Sequence, residues 1–383
     1  MPRHTWPIVI IGLILCLFAG AAAVYLGTTN TPIVGATSAT STPGLATSPA
    51  TSSAPAAPPA IPPLDRAAYD AKLLAIANLP PGPPATRVVT TTYGSGTIEY
   101  ATTSTSTVQG NGLWPVKTVY PNGGALLPFN RIVAYYGNLY STQMGVLGEY
   151  PEPEMLAMLA STTAEWQAAD TSTPVIPALD YIAVTAQGSP GADGKYRARM
   201  PGSEIDKILA MAAEAHGIVI LDVQVGLSNV ETEVPLLQKY LMMPQVNLAI
   251  DPEFAMHNGS PPGTVIGSLD ATDINFAANY LAGLVRQYNL PPKILIVHRF
   301  TQAMVTNYQN ITPLPEVQIV MDMDGFGSPA KKLTTYKYFI HDEPVQFTGF
   351  KLFYKNDMNV GGHLMTPQEV LKLSPQPSFI QYQ

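Results

Sequence analysis

Residues 218–226 read IVILDVQVG and residues 246–253 read VNLAIDPE. Each is a short apolar run, rich in β-branched residues, that gathers its polar groups toward its C-terminal end and is followed by a helical pattern. A strand buried on both faces and its crossover look like this. Working outward, segments of the same kind recur at 131–138, 175–183, 294–300, 317–325, 349–357 and 378–383, which makes eight with the first two. Helical patterns lie between them at 154–169, at 203–216 with Gly217 as the stop, and at 230–242, 271–288 and 330–340. Thr366, Pro367 and Glu369 fit the N-cap, N1 and N3 positions of a capping-box helix running to Leu373. Repeats of strand, helix and strand imply a parallel sheet. The count of eight, and the absence of a Gly-rich dinucleotide turn after the first strand, favour closure into a (β/α)8 TIM barrel over 131–383 and leave no cofactor expected. The last strand should close against the first, with the usual last helix absent or replaced by a helix at 65–79.

Upstream of the barrel the composition changes twice. Residues 8–27 carry no charge and, at about 1.5 Å per residue, are just long enough to cross a bilayer of about 30 Å. Segment 1–27 therefore reads as a single-pass membrane anchor, or as a signal peptide cleaved near the Ala-rich stretch 19–23. Arg3, with no Lys or Arg following before Arg66, keeps the short N-terminal side in the cytoplasm and places the remainder outside it. Residues 28–63 are almost wholly Thr, Ser, Ala, Pro and Gly, too poor in apolar surface to offset the entropy of ordering, and read as a disordered tether. Residues 64–130 read as an extension packing on the barrel, with a helix at its start, an extended or hairpin stretch at 87–107, and a Gly/Pro-rich part at 110–130 closing the barrel floor. Cys16 is the only cysteine, so no intrachain disulfide forms. A net charge of -7, without clustered Lys and Arg, excludes a nucleic-acid partner.

Alternate residues of a barrel strand face the interior, and this parity selects a candidate site. In 246–253, Leu248 and Ile250 face the helices, so Asn247, Ala249, Asp251 and Glu253 face inward. The same rule sends Asp180, Asp222, Gln224, His298, Asp322, Asp324 and Gln381 inward, and puts Lys351, Lys355 and Asp357 on one face of the seventh strand. Arg299 stands beside His298 to neutralise the acids, and Tyr136 offers a ring to a ligand. Most of these lie toward the C-terminal strand ends, where barrel enzymes build their active sites. Any one of the acids is explained as a buried, paired carboxylate. The ring as a whole is not, because burying a carboxylate unpaired costs several kcal/mol.

Asp251-Pro252-Glu253 places two carboxylates two residues apart at a strand end, where repulsion by Asp251 should keep a proton on Glu253 near neutral pH. This motif resembles barrel glycoside hydrolases, in particular the chitinase-type family, whose fourth strand ends in Asp-x-Glu and whose sixth carries Met-x-x-Asp, matched here by Met321 to Asp324. The aspartates that precede that motif in the family fall on Val246 and Ala249, and its strand-eight tryptophan is absent, with Tyr382 in that strand instead. The resemblance implies a carbohydrate ligand, with Glu253 as general acid, Asp251 as its tuner, Asp322 or Asp324 as base or stabiliser, and the loop 256–267 as rim. Asp180, Asp222, Gln224, His298, Arg299, Lys351, Lys355, Tyr136 and Gln381 would contact the substrate. Two other classes fit the same residues. One is a metal-dependent hydrolase or lyase with Asp222, Asp251, Glu253 and Asp324 around Mg²⁺ or Ca²⁺; the other is a non-catalytic surface receptor for a small polar ligand.

Overall fold

A computed structural model describes residues 61–79, 85–93, 96–104, 112–359 and 362–383. The anchor or signal segment and nearly all of the tether lie outside the described residues. Among those described, no helix is long and apolar enough to cross a membrane.

Eight parallel strands close into a barrel: Arg131–Gly137, Val175–Ala186, Ile218–Val223, Val246–Ile250, Lys293–Arg299, Val317–Met323, Phe347–Leu352 and Phe379–Tyr382, called strands one to eight below. Strand eight pairs with strand one from Phe379 and Ile132 to Tyr382 and Tyr135, and strand one continues onto strand two from Arg131 and Val175 to Gly137 and Tyr181. Closure leaves the barrel strands no edge to protect. The period-two alternation divides the strand side chains into two cores. Ala134, Ala178, Ile220, Ala249, Ile296 and Val320 fill the interior, while Tyr135, Leu179, Leu221, Leu248, Ile250 and Val297 face the helices.

The floor of the barrel is closed by the extension. Asp65 caps the helix Arg66–Ala77 by accepting from Ala68 N, and Tyr69 and Ile76 of that helix join Leu127 in the interior cluster. Gln318, pointing inward near the start of strand six, binds the Leu127 backbone on both sides: its Oε1 accepts from the amide at 3.0 Å and its Nε2 donates to the carbonyl at 2.6 Å. The N-terminal helix therefore does not replace a flank helix after strand eight, one of the two expected arrangements, but plugs the floor. The seam between strands one and eight is covered instead by the helix Glu152–Ala169, where Trp166 Nε1 donates to Tyr382 Oη and Thr162 bonds the Tyr135 hydroxyl. The expected hairpin is present as strands 85–93 and 96–104.

Three helices end differently from their sequence signals. In 230–242, Pro235 has no N–H to donate, and the run divides into Val230–Glu233, a 3-10 turn Val234–Leu237 and Gln238–Leu241. The helix Gly202–Glu214 ends on His216 in the left-handed conformation (φ 52°); Gly217 is needed for another reason, since a Cβ there would lie 2.5 Å from Pro177 O on strand two. The helix Pro329–Tyr336 continues as a π turn, Lys337–His341. The helix Ala271–Tyr288 has the predicted bounds, and the Thr366–Glu369 capping box is present although its helix, Pro367–Val370, is shorter. Between strands five and six the connection contains two 3-10 turns, Gln302–Met304 and Tyr308–Asn310, and no α-helix.

Candidate active site

The C-terminal half of the interior is polar, and its side chains interlock around His298. The imidazole is fully buried, with Asp322 Oδ2 3.2 Å and Asp324 Oδ2 3.4 Å from Nδ1, and Asp222 Oδ2 3.4 Å from Nε2 on the other side. Asp324 also reaches Lys351 Nζ through Oδ1 at 3.0 Å. The Lys351 ammonium lies 3.9 Å from the centre of the Tyr136 ring, whose edge meets the His298 ring. Gln224 Nε2 donates to the Tyr136 hydroxyl at 3.0 Å and lies 3.4 Å from Asp251 Oδ2, while Gln381 Nε2 donates to Asp180 Oδ2 at 2.6 Å. Side chains on, or just past the ends of, six strands, one and three to seven, thus supply one connected network, with Asp180 and Gln381 as a second pair.

Room for the clamp is made by a glycine. A Cβ on Gly349 would lie 2.4 Å from Asp322 Oδ1 and 3.0 Å from Phe379 Cδ1, which is the close approach that an interior strand glycine marks. Gly349→Ala is expected to displace Asp322 from His298 and to destabilise the fold by about 1–3 kcal/mol; a urea-melt midpoint equal to wild type would show that the clamp does not need this space.

Glu253 arises by a different route from the rest. Strand four ends at Ile250, and Asp251 caps the 3-10 turn Pro252–Phe254, accepting from Glu253 N at 3.0 Å. Strand parity therefore does not aim Glu253; the turn does. That turn is fixed by neighbours that leave no room for a side chain. Gly226, in the left-handed region, donates to Phe254 O, and Gly267 donates to Glu253 O at 2.7 Å. A Cβ on Gly267 would lie 2.6 Å from the carbonyls of Ala255 and Pro252. The Glu253 carboxyl accepts no hydrogen bond from the described residues, and the residue is half-buried at the barrel mouth while Asp222, Asp322 and His298 are fully enclosed.

Burial and crowding set the protons. Burial, then repulsion by Asp251 and Asp324, pushes Glu253 up to about 8. Asp251 is pushed up to about 7 by burial and by Asp222 and Asp324, against the opposing pull of His298 and Lys351. Asp180 is raised by burial and by Asp222. Burial alone would lower His298, but Asp222, Asp322 and Asp324 overcome it and hold the ring as an imidazolium well above its ordinary value. Lys351 is likewise held charged by Asp324 and Asp251 against burial. The mouth therefore combines two fixed cations, their counter-carboxylates, and a proton on Glu253 at neutral pH. Both Asp222 oxygens, Asp180 Oδ1, Asp322 Oδ1 and Gln381 Oε1 are buried and accept no hydrogen bond from the described residues, a concentration that a purely structural core does not retain.

The structure brings together Tyr136, Asp180, Asp222, Gln224, Asp251, Glu253, His298, Asp322, Asp324, Lys351 and Gln381. Three expected residues lie elsewhere. Arg299 has the opposite parity to His298 and points outward, where Glu343 pairs with it at 2.6 Å and the carbonyls of Thr301, Gln302, Val305 and Phe339 accept from it. Strand seven ends at Leu352, so parity does not carry on to Lys355 or Asp357. Lys355 is exposed and pairs with Glu149, and buried Asp357 pairs with Lys332 at 3.0 Å and accepts from Gly327 N and Phe353 N. Phe353, whose ring lies against the Lys351 ammonium, was not foreseen; an aromatic residue following an inward lysine gave no sequence signal. Among the described residues no group of three or more His, Cys, Asp or Glu is arranged to hold a metal ion, so nothing in their geometry supports the alternative oxygen cage of Asp222, Asp251, Glu253 and Asp324.

No protein-family model and no curated protein matches the chain. Among solved structures it is similar to glycoside hydrolases of several families. A hyperthermophilic endo-β-1,4-glucanase in complex with substrate shares 9% identity at a TM-score of 0.36, over 67% of this chain and 89% of that one. A Bacteroides ovatus GH5 xyloglucanase in complex with a heptasaccharide shares 12% at 0.35, over 78% and 79%. A GH18 chitinase from Pseudoalteromonas aurantia shares 11% at 0.32, over 66% and 93%. At such identities and TM-scores the likeness carries no argument about activity, and the barrel rests on its own strand pairing.

Proposed function

We propose that the barrel mouth hydrolyses a glycosidic bond by acid catalysis, with Glu253 as the proton donor to the leaving oxygen. One observation carries this reading: Glu253 is the mouth carboxyl that combines access to solvent, no internal hydrogen-bond partner, and a proton retained up to about pH 8. A general acid needs all three. Asp251 tunes it by like charge and fixes its backbone. Asp324 has Lys351 on one oxygen and His298 on the other, which makes it a poor nucleophile and suits it to stabilising positive charge on the sugar ring. Tyr136, Gln224 and Lys351 then position the substrate.

The test is a pH profile on a panel of oligosaccharides, whose leaving oxygen must be protonated as the bond breaks. Because the protonated form of Glu253 is the active one, turnover should fall as pH rises through about 8. Asp251→Asn removes the repulsion that helps hold that proton, and should move the alkaline limb down by about one pH unit. A rate that climbs through pH 8, or a limb unmoved in Asp251→Asn, would count against the assignment.

In the same reading the domain works outside the cytoplasm on a cell-wall or extracellular carbohydrate, tethered by the uncharged run 8–27 or released after its cleavage. Carbonate washing of membranes distinguishes the two: the anchored form is expected to stay in the pellet, and a form found wholly in the wash or the culture medium means cleavage.

A further inference from the structure

Away from the mouth, a groove of about 700 Å3 opens on the barrel flank, lined by the connection from strand five to strand six and by the π turn Lys337–His341. None of the mouth residues lines it. The connection contains two 3-10 turns and the short strand Val305–Thr306 where a barrel unit ordinarily packs a helix, and the π turn, a geometry that recurs at functional sites, sets Tyr338 and Phe339 along the opposite wall.

The charges of this groove are already spent on one another. Glu343 is paired with Arg299 at 2.6 Å, and its other oxygen accepts from Gln302 Nε2 at 2.6 Å. Asp342 is paired with Lys337 at 2.6 Å and with His341 at 2.7 Å. Asp270, next to the groove, accepts from Thr306 and Asn307. What the walls offer a ligand is therefore the ring of Tyr338, which is 55% exposed, the ring of Tyr308, the amide of Gln309 and the amide oxygen of Asn307, whose nitrogen Asp270 already holds. Flat rings with a polar tip beside neutral amides suit a molecule that has apolar C–H faces and a rim of hydroxyls. An ion finds no unpaired countercharge there.

We infer that this flank groove binds a neutral oligosaccharide, at a site separate from the barrel mouth. The inference does not require Glu253 to act as an acid.

The test is calorimetric titration of the full chain, carrying Glu253→Gln to suppress turnover, with cellohexaose and chitohexaose as probes and hexalysine as the charged control. The expected result is binding of at least one hexasaccharide that Tyr308→Ala combined with Tyr338→Ala weakens by about tenfold, while Tyr136→Ala at the mouth leaves that component in place. Gln309→Ala, which removes no ring, should give a smaller loss in the same direction. Three results would overturn the inference: hexasaccharide binding abolished by Tyr136→Ala and untouched by the tyrosine pair, tighter binding of hexalysine than of either sugar, or no hexasaccharide binding at all. The first of these leaves the mouth's proposed activity standing, and loss of that activity leaves the groove measurement intact.

Discussion

Glu253→Gln is expected to lower kcat by about 10²–10⁴-fold with KM little changed, because the amide keeps the shape of the side chain and cannot deliver a proton in the transition state. The size of the loss should depend on the leaving group. An aryl glycoside departs with little protonation, whereas an oligosaccharide must be protonated as it leaves, so the variant should be far more impaired on the oligosaccharide. Stability should move the other way. A carboxyl whose folded pKa is raised to about 8, from about 4.3 in the unfolded chain, costs stability progressively as pH rises between those values, and glutamine carries no such cost. Glu253→Gln is therefore expected to match wild type in thermal melts near pH 4 and to melt higher near pH 8. Equal impairment on activated and unactivated substrates would remove the general-acid role, and a lower melting temperature at pH 8 would show that the carboxyl is structural.

The barrel was legible because its strands are buried on both faces and their crossovers carry clear helical and turn signals. Period-two alternation then sorted the interior from the exterior on every strand where it was applied within the strand proper. Asp180, Asp222, His298, Asp322, Lys351 and Gln381 all face inward as parity requires. Parity failed where the strand had already ended. Strand seven stops at Leu352, so Lys355 and Asp357 belong to the following turn and short helix, and their side chains follow local hydrogen bonds instead. Arg299 was assigned by adjacency to His298, which in a strand places it on the other face.

Glu253 reached the mouth although strand four ends at Ile250. Its aim comes from the Asp251 cap and from Gly226 and Gly267, both of which the sequence displays without saying what they approach. Gly349 is similar: the interior position of a strand glycine was readable, but the carboxylate it accommodates comes from the neighbouring strand. The floor was only partly foreseen. Leu127, from the Gly/Pro-rich part expected at the floor, lies there, yet nothing local in 65–79 distinguishes a helix lying along a flank from one whose Tyr69 and Ile76 plug the barrel end.

His298→Leu is expected to destabilise the protein by about 3–5 kcal/mol at pH 7, the cost of breaking a buried ionic arrangement by removing one member. The side chain is fully buried, and the imidazolium stands between Asp222 on one side and Asp322 and Asp324 on the other. Leucine fills most of the volume, so the effect is electrostatic and its pH dependence identifies it. In the wild type the folded pKa of His298 is raised, so its contribution is fully present below about 6.5 and is lost as pH rises through the folded value, which lies well above that. In the variant the three carboxylates have lost a shared cation, and keeping their charge in the closed interior without it costs the folded state. Near pH 4 that cost is smaller, because an unfolded aspartate is itself about half protonated there; toward pH 7 it grows with every unit. Urea unfolding of both proteins across pH 4–8 should therefore show a deficit that widens between pH 4 and 7. A deficit of constant size would mean a packing defect alone, and the three carboxylates would then have to be held by Lys351 and by shared protons without the imidazolium.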